Sequence, residues 1–489
     1  MSEAQGTVPT VLHVSEVDGI PAVWADVPGP LTAGLLIRMG YADEALVHRG
    51  HSHMLEHLAL FGLGRPGNHS NGHVDATSTL LHASGSPEEV GSFLEQVARQ
   101  LVDPPPARLE DAKGVLRAEH SRRGPHPLSE LAVWRWGMRD FGLETAEELG
   151  LAAMTADSVR AWSRRFVTRQ NAALWLTGPP PAGLRLALPD GDRVPAPDPW
   201  RTTLPFLPAV IRLNSPVIAW HGLVPRDWNG PPLAMVVNNR LVDELRTSRA
   251  AAYSPQGGYQ PLNGDVAALL AFSDAVDGKE AEVVDRVLGV VGELADPATM
   301  PREGEVATYR TEVLRALDAA GMSNRPPSAG WDLLHGRRLW TLDEQRDALD
   351  RISPESLRLA AAAAAGTALA QAPASLPLPN GWVQAPDSVS PRVFGTGFGH
   401  KGTDARLLVG REGVTFVNGP TLLTVRFTEV AALGAWDDGG RVLIGEDGIR
   451  LAVEPRLWWR GSKAVAAIAW RSSGPRRWAL CPPLPGALQ

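Results

Sequence analysis

The five residues from His53 to His57, read H-M-L-E-H, constrain this chain more than any other stretch. Histidines at i and i+4 share one face of a helix, so the imidazoles of His53 and His57 can converge on a single metal ion. Glu56 stands on the same side, close enough to serve as a general base for water at that ion. A hydrolytic zinc site takes three protein ligands, the third often acidic, and leaves one position open. Downstream, L-E-D-A-K-G-V-L-R-A-E-H predicts a helix over Leu109–His120, with apolar Leu109, Val115, Leu116 and Ala118. Glu119 sits near its end, and Glu110 offers a second carboxylate on the same helix.

The combination resembles the pitrilysin and insulysin zinc metallopeptidases, whose signature is the inverted H-x-x-E-H order. In that family a glutamate on a later helix completes the zinc site, which implies Glu119 as the third ligand and one zinc per chain. The stretch from Asn71 to Ser78, then Thr79 and Ala83 to Val90, is similar to the family's N-G-x-x-N-A-x-T strand and the turn into its next helix. This implies a substrate-binding role for Asp75, Ala76 and His82. Leu245-Arg246, with Tyr253 seven residues beyond the arginine, resembles the family's L-R-x-x-x-x-x-x-Y stretch. It implies that Arg246 and Tyr253 are catalytic, reaching the site from the opposite half of the enzyme to stabilise the oxyanion. Without the family, Arg246 reads as a helix C-terminal cation and Tyr253 as a packed strand residue.

Three positions depart from the family pattern. Asp75 replaces an asparagine, and a carboxylate can only accept where an amide both donates and accepts. His82 replaces a tyrosine, and Ala112 stands where a supporting glutamate often lies seven residues before the ligand. Among the neighbouring histidines, His48, His51, His69 and His73 read as solvated residues, with His51 a possible partner for a ligand carboxylate.

Composition bounds the remaining possibilities. A chain of 489 residues with 44% hydrophobic and 21% charged content suggests about three globular domains. The net charge of -7 argues against nucleic acid as the main ligand. One cysteine, Cys481, excludes an intramolecular disulfide framework. The start M-S-E-A-Q-G-T-V-P-T has no basic n-region or apolar h-region, and no apolar run is long enough to span a bilayer. A cytoplasmic location is the expectation.

The expected fold is α+β: two tandem pitrilysin-like domains forming half a clam shell, followed by a small mostly-β domain. The first domain is predicted over residues 8–183, with a strand near Asp75 to Ala83 and a helix from Val159 to Phe166. Residues 184–208, rich in proline, read as a semi-rigid linker. The second domain, 209–375, runs strand (Pro216 to His221), helix (Pro232 to Thr247), strand pair (Tyr253 to Tyr259, Val266 to Ser273) and helix (Lys279 to Leu294). Its order echoes the first and suggests a divergent duplication. Residues 391–489 carry short alternating strands closed by a helix with Trp458, Trp459 and Trp470, a pattern like a pleckstrin-homology barrel. Those tryptophans read as core and interface contacts in preference to a lipid-headgroup site.

The resemblance implies a zinc endopeptidase acting on peptides or leader segments enclosed between two halves. One chain supplies two of the family's usual four domains, so a dimer is expected, either a homodimer or a heterodimer with a paralogous subunit. The rival reading is a non-catalytic or recognition subunit that binds a partner; intact Glu56 speaks against it.

Overall fold

The computed structural model describes residues 11–63, 69–122, 128–318, 325–386, 390, 392–436, 439–471 and 477–479. Residues 8–10, Cys481 and the rest of the final segment therefore lie outside the described residues. The first half contains strands β1 (His13–Val17), β2 (Ile20–Trp24), β3 (Leu31–Ile37), β4 (His69–Val74), β5 (Thr79–Gly85) and β6 (Ala172–Leu176). Its helices are α1 (His51–Leu60), α2 (Pro87–Val102), α3 (Leu109–His120), α4 (Ser129–Trp136) and α5 (Ala156–Phe166). The strands form one sheet in the order β1-β2-β6-β3-β5-β4, antiparallel except for β2 and β6.

Local sequence explains these elements. At α2, Ser86 Oγ accepts from Glu89 N and Glu89 Oε2 accepts from Ser86 N, a reciprocal cap with Pro87 in the first turn. The stripe Val90, Leu94, Val97 and Leu101 is then buried against β3 and β5. Burying each such side chain contributes about 1.5–3 kcal/mol. The apolar run Ala172–Leu176 is buried throughout as β6.

The second half repeats the plan. It has β7 (Ala209–Leu213), β8 (Ile218–Pro225), β9 (Gln256–Pro261), β10 (Val266–Ser273) and β11 (Leu369–Pro373). Its helices are α6 (Gly230–Leu241), α7 (Glu280–Ala295), α8 (Glu303–Asp318), α9 (Arg325–Leu334), α10 (Leu342–Asp350) and α11 (Pro354–Gly366). The sheet order β7-β11-β8-β10-β9 matches β2-β6-β3-β5-β4 strand for strand, down to the single parallel pair. The two halves also exchange a helix. α4 packs on the second sheet, where Leu131 meets Ile211 and Leu369, while α9 lays Ala329 and Leu334 against Trp175 on the first. Residues 184–208 form no helix or strand, yet Leu184, Leu186 and Leu188 pack into the first core and Leu204 beneath the second sheet.

The last segment contains β12 (Gly395–Gly399), β13 (Arg406–Gly410), β14 (Gly413–Asn418), β15 (Thr421–Arg426), β16 (Val430–Ala435), β17 (Arg441–Gly445) and β18 (Arg450–Val453). Helix α12 (Gly461–Arg471) and β19 (Arg477–Ala479) complete it. Two four-stranded sheets result, β12-β13-β14-β15 and β18-β17-β16-β19. β19 returns after the helix to pair in parallel with β16.

Three local expectations need correction. Asp75 to Ser78 is a turn between β4 and β5, closed by Asp75 N to Ser78 O at 2.8 Å, and is not strand. Tyr253 precedes β9, because the Asp274 carboxylate accepts from the backbone N–H groups of Tyr253 and Ser254 and holds them in a loop. Trp458 and Trp459 lie before α12; Arg460 at φ +58° breaks the helical path behind them. The helix does include Trp470. Among the described residues, no helix is long and apolar enough to cross a membrane.

Candidate metal centre

Helix α1 starts without a side-chain cap of its own. Gly50 precedes it at φ +107°, a left-handed conformation that a Cβ would strain. The Glu44 carboxylate caps the helix instead: Oε2 accepts from Gly50 N at 2.9 Å and Oε1 from Ser52 N at 2.7 Å. Arg49 Nη1, 3.1 Å from the same Oε2, balances the buried charge.

From this start α1 presents His53, Glu56 and His57 on one side. His53 Nε2 lies 3.3 Å and His57 Nε2 3.4 Å from Glu119 Oε2, the two rings standing edge to face. The ligand atoms of the three residues fall within 4.8 Å of one another. Helix α3 brings Glu119 there because Leu109 and Leu116 are buried in the first core. Buried Lys113 donates to Met154 O at 2.9 Å and pairs with Glu110 Oε1 at 2.8 Å. Glu110 is thus turned to Lys113, and Glu119 is the carboxylate of the group.

The donor set fits zinc. Two imidazole nitrogens and a carboxylate oxygen suit a hydrolytic site, and ligands about 2.0–2.2 Å from a tetrahedral ion stand about 3.3–3.6 Å apart. Burial and the neighbouring His53 hold His57 below the ordinary imidazole value, against the pull of Glu119. That favours the neutral, ligating form.

Glu56 lies beside the group, its Oε2 3.6 Å from His57 Nε2. Burial pushes its carboxyl up to about 7, opposed by His53 and reinforced by Glu119. Gly72 of β4 faces it so closely that a Cβ there would collide with Glu56 Oε1. The glycine therefore leaves the room that the carboxylate occupies.

These residues open onto a chamber of about 1290 Å³ whose walls come from both halves. Asp75 and Ala76 line it, as do Arg226, Gln260 and Trp331 of the second half. Asp75 Oδ2 pairs with His73 Nε2 at 3.1 Å, which raises the imidazole above its usual value. His82, half-buried on β5, lies on the strand face shared with chamber-lining Leu80 but is not itself part of the lining. Arg246 and Tyr253 stand apart from the chamber. Arg246 sits in a π-helical turn, Val242–Ser248, with its guanidinium over the exposed Tyr253 ring at 5.6 Å.

Sequence reasoning missed one buried partner of this centre. His51 binds His48 O and Ser158 Oγ and touches no ligand. The group that does is Glu148, whose Oε1 is 2.9 Å from His53 Nδ1. Glu144, Glu147 and Glu148 all stand within a few residues, and spacing alone does not reveal which one turns inward.

No family model matches the chain, and no curated relative matches it. Solved structures do. The first half of the periplasmic protease PqqL from Escherichia coli has a TM-score of 0.59 at 12% identity, with 76% of this chain and 93% of that one covered. An inactive domain of a peptidase from Pseudomonas fluorescens scores 0.59 at 15% identity, covering 77% of this chain and 100% of that one. Pitrilysin scores 0.58 at 12% identity; 82% of this chain is covered but only 47% of pitrilysin, so the chain spans about half its length. At these identities the likeness concerns architecture, and the chain has the fold of the pitrilysin-like peptidases.

Proposed function

We propose that this chain is a zinc-dependent endopeptidase that hydrolyses peptide bonds in peptides or leader segments held within its chamber. The observation that carries this reading is the convergence of His53, His57 and Glu119 within 4.8 Å, with Glu56 beside them. Zinc held by these three would polarise the scissile carbonyl and acidify a water toward a pKa of ~7. Glu56, beside the group, would take the proton of the attacking water and return it to the leaving amine. Asp75 and Ala76 border the outer edge of β4, the last strand of its sheet, where an extended peptide can pair by backbone hydrogen bonds.

Arg246 and Tyr253 are not among the residues that line their own chamber, and the chain spans about half of pitrilysin. Both facts support a dimer in which a second copy, or a paralogue, supplies the pair as oxyanion donors. Likeness to an inactive peptidase domain favours a second reading, a recognition subunit within a heteromeric peptidase. Buried Glu56 weighs against it, because a purely structural metal site has no use for a base.

Metal analysis of the purified chain tests the reading. About one zinc per chain is expected, with near-complete loss in a folded His53→Ala/His57→Ala variant. Undiminished zinc in that variant would end the assignment.

A further inference from the structure

His53 is hydrogen-bonded to a segment that packs against the C-terminal β-module. Glu148 is 5% exposed, with Oε1 2.9 Å from His53 Nδ1 and 3.7 Å from Arg49 Nη1. Donation of Nδ1–H to Glu148 leaves the Nε2 lone pair free for an ion shared with His57 and Glu119. Ala112, where the resembling family often has a supporting glutamate, is packed against the apolar core and provides no such acceptor.

Glu148 has little freedom. It ends the loop ahead of a short 3-10 turn, Leu149–Ala152, and Gly150 N donates to Arg49 O at 3.0 Å. Arg49 in turn donates through Nε to Leu143 O and pairs with Glu44, the cap of α1. On the far side of this layer, β16 packs against the turn Leu46–His48 and β19 against Leu149–Ala152. Leu46, Val47 and Leu149 share one apolar cluster with Ala431, Ala432 and Ile444 of the module. Met138 N donates to Glu446 O at 2.8 Å alongside it.

We infer that Glu148 is a positioning residue of the metal centre and that the C-terminal module holds it in place. The module is then part of the site's support and not solely a separate docking unit. This rests on the zinc reading above.

Zinc affinity of the full chain, measured by competition with a chromophoric chelator, tests it. Glu148→Ala should weaken zinc by about 10–100-fold, while Glu148→Gln, which keeps an acceptor oxygen, should recover part of the loss. Ile444→Ala should weaken zinc by a smaller factor, and that factor should vanish when Glu148→Ala is already present, because the module acts through Glu148. Should Glu148→Ala not fold, Glu148→Gln replaces it in the same cycle, with several-fold weakening expected. Wild-type affinity in a folded Glu148→Ala chain would overturn the positioning role; independent, additive losses would overturn the clamp. If wild type itself binds no zinc through His53 and His57, the endopeptidase reading falls first, and the two failures are thereby distinguished.

Discussion

The two sheets share one strand order, and the helix after the second common strand occupies the same place in each, yet its buried face differs. α1 buries His51, Ser52, His53 and Glu56 beside Met54, Leu55 and Leu58. α6 buries Leu233, Ala234, Val236, Val237 and Leu241. The next contact differs as well: α6 is tied to α8 by the Arg240–Glu305 ion pair at 3.0 Å, whereas α1 faces α3 through His53, His57 and Glu119. At this helix position the second half therefore closes without a buried imidazole or carboxyl. In the first half such groups are desolvated at a cost, visible in Glu56 being pushed up to about 7. A polar cluster that the fold does not require, kept where the fold would accept leucine and valine, is best explained by chemistry.

The sharpest way to break this contrast is Glu56→Gln, which keeps size and helix propensity while removing the base. Peptide cleavage should fall by ~10²–10⁴, with zinc content unchanged by metal analysis. A variant as active as wild type would falsify the role of Glu56, whatever the metal content.

The converse test is in the apolar half. Leu233 is fully buried in the second core, and Leu233→Ala should cost about 2–5 kcal/mol in denaturant unfolding. Zinc affinity per folded chain should not change. Loss of zinc from chains that remain folded would mean that the halves are not separable in this way.

Third in size is a mixed-subunit experiment. If Arg246 and Tyr253 serve a partner's chamber, Glu56→Gln and Tyr253→Phe chains should complement each other after subunit exchange. Half of the dimers are then mixed and each has one intact site, so activity should reach about a quarter of wild type, tenfold or more above either variant. A stable dimer that never complements after demonstrated exchange would place both parts of the site in one chain. A fully active monomer would do the same.

What could be read from sequence follows the range of the interactions involved. The i,i+4 histidines and the helix over Leu109–His120 depend on local periodicity, and the helix has the expected ends. Val266–Ser273 likewise has the expected bounds, since its apolar run is flanked by turn residues. The turn at Asp75 was hidden because its form depends on distant partners, with Tyr41 N donating to Asp75 O and Thr77 Oγ1 donating to Leu262 O of the other half. Glu148 was hidden for the same reason: it lies 95 residues from His53 in the chain, and only the tertiary fold brings them together. The exchange of α4 and α9 also leaves no local trace, because each helix shows the amphipathic pattern it would have on either sheet.

The smallest expected effect compares α2 with its counterpart α7. Both have 16 residues and both cover their sheets, but they start differently. Ser86 caps α2 through its hydroxyl and receives Glu89 in return, whereas Lys279, ahead of α7, makes no side-chain cap and reaches only Glu282 at 3.3 Å. Removing a hydroxyl cap leaves an N–H of the first turn without its acceptor, so Ser86→Ala should cost about 1 kcal/mol. An exposed pair spanning one turn contributes far less, so Lys279→Ala should leave the unfolding midpoint close to wild type. Neither position touches the chamber, and cleavage at saturating zinc should be unaffected in both. Equal destabilisation by the two substitutions would mean that the cap at Ser86 contributes nothing beyond helix propensity, and that the two halves do not differ at these helix starts.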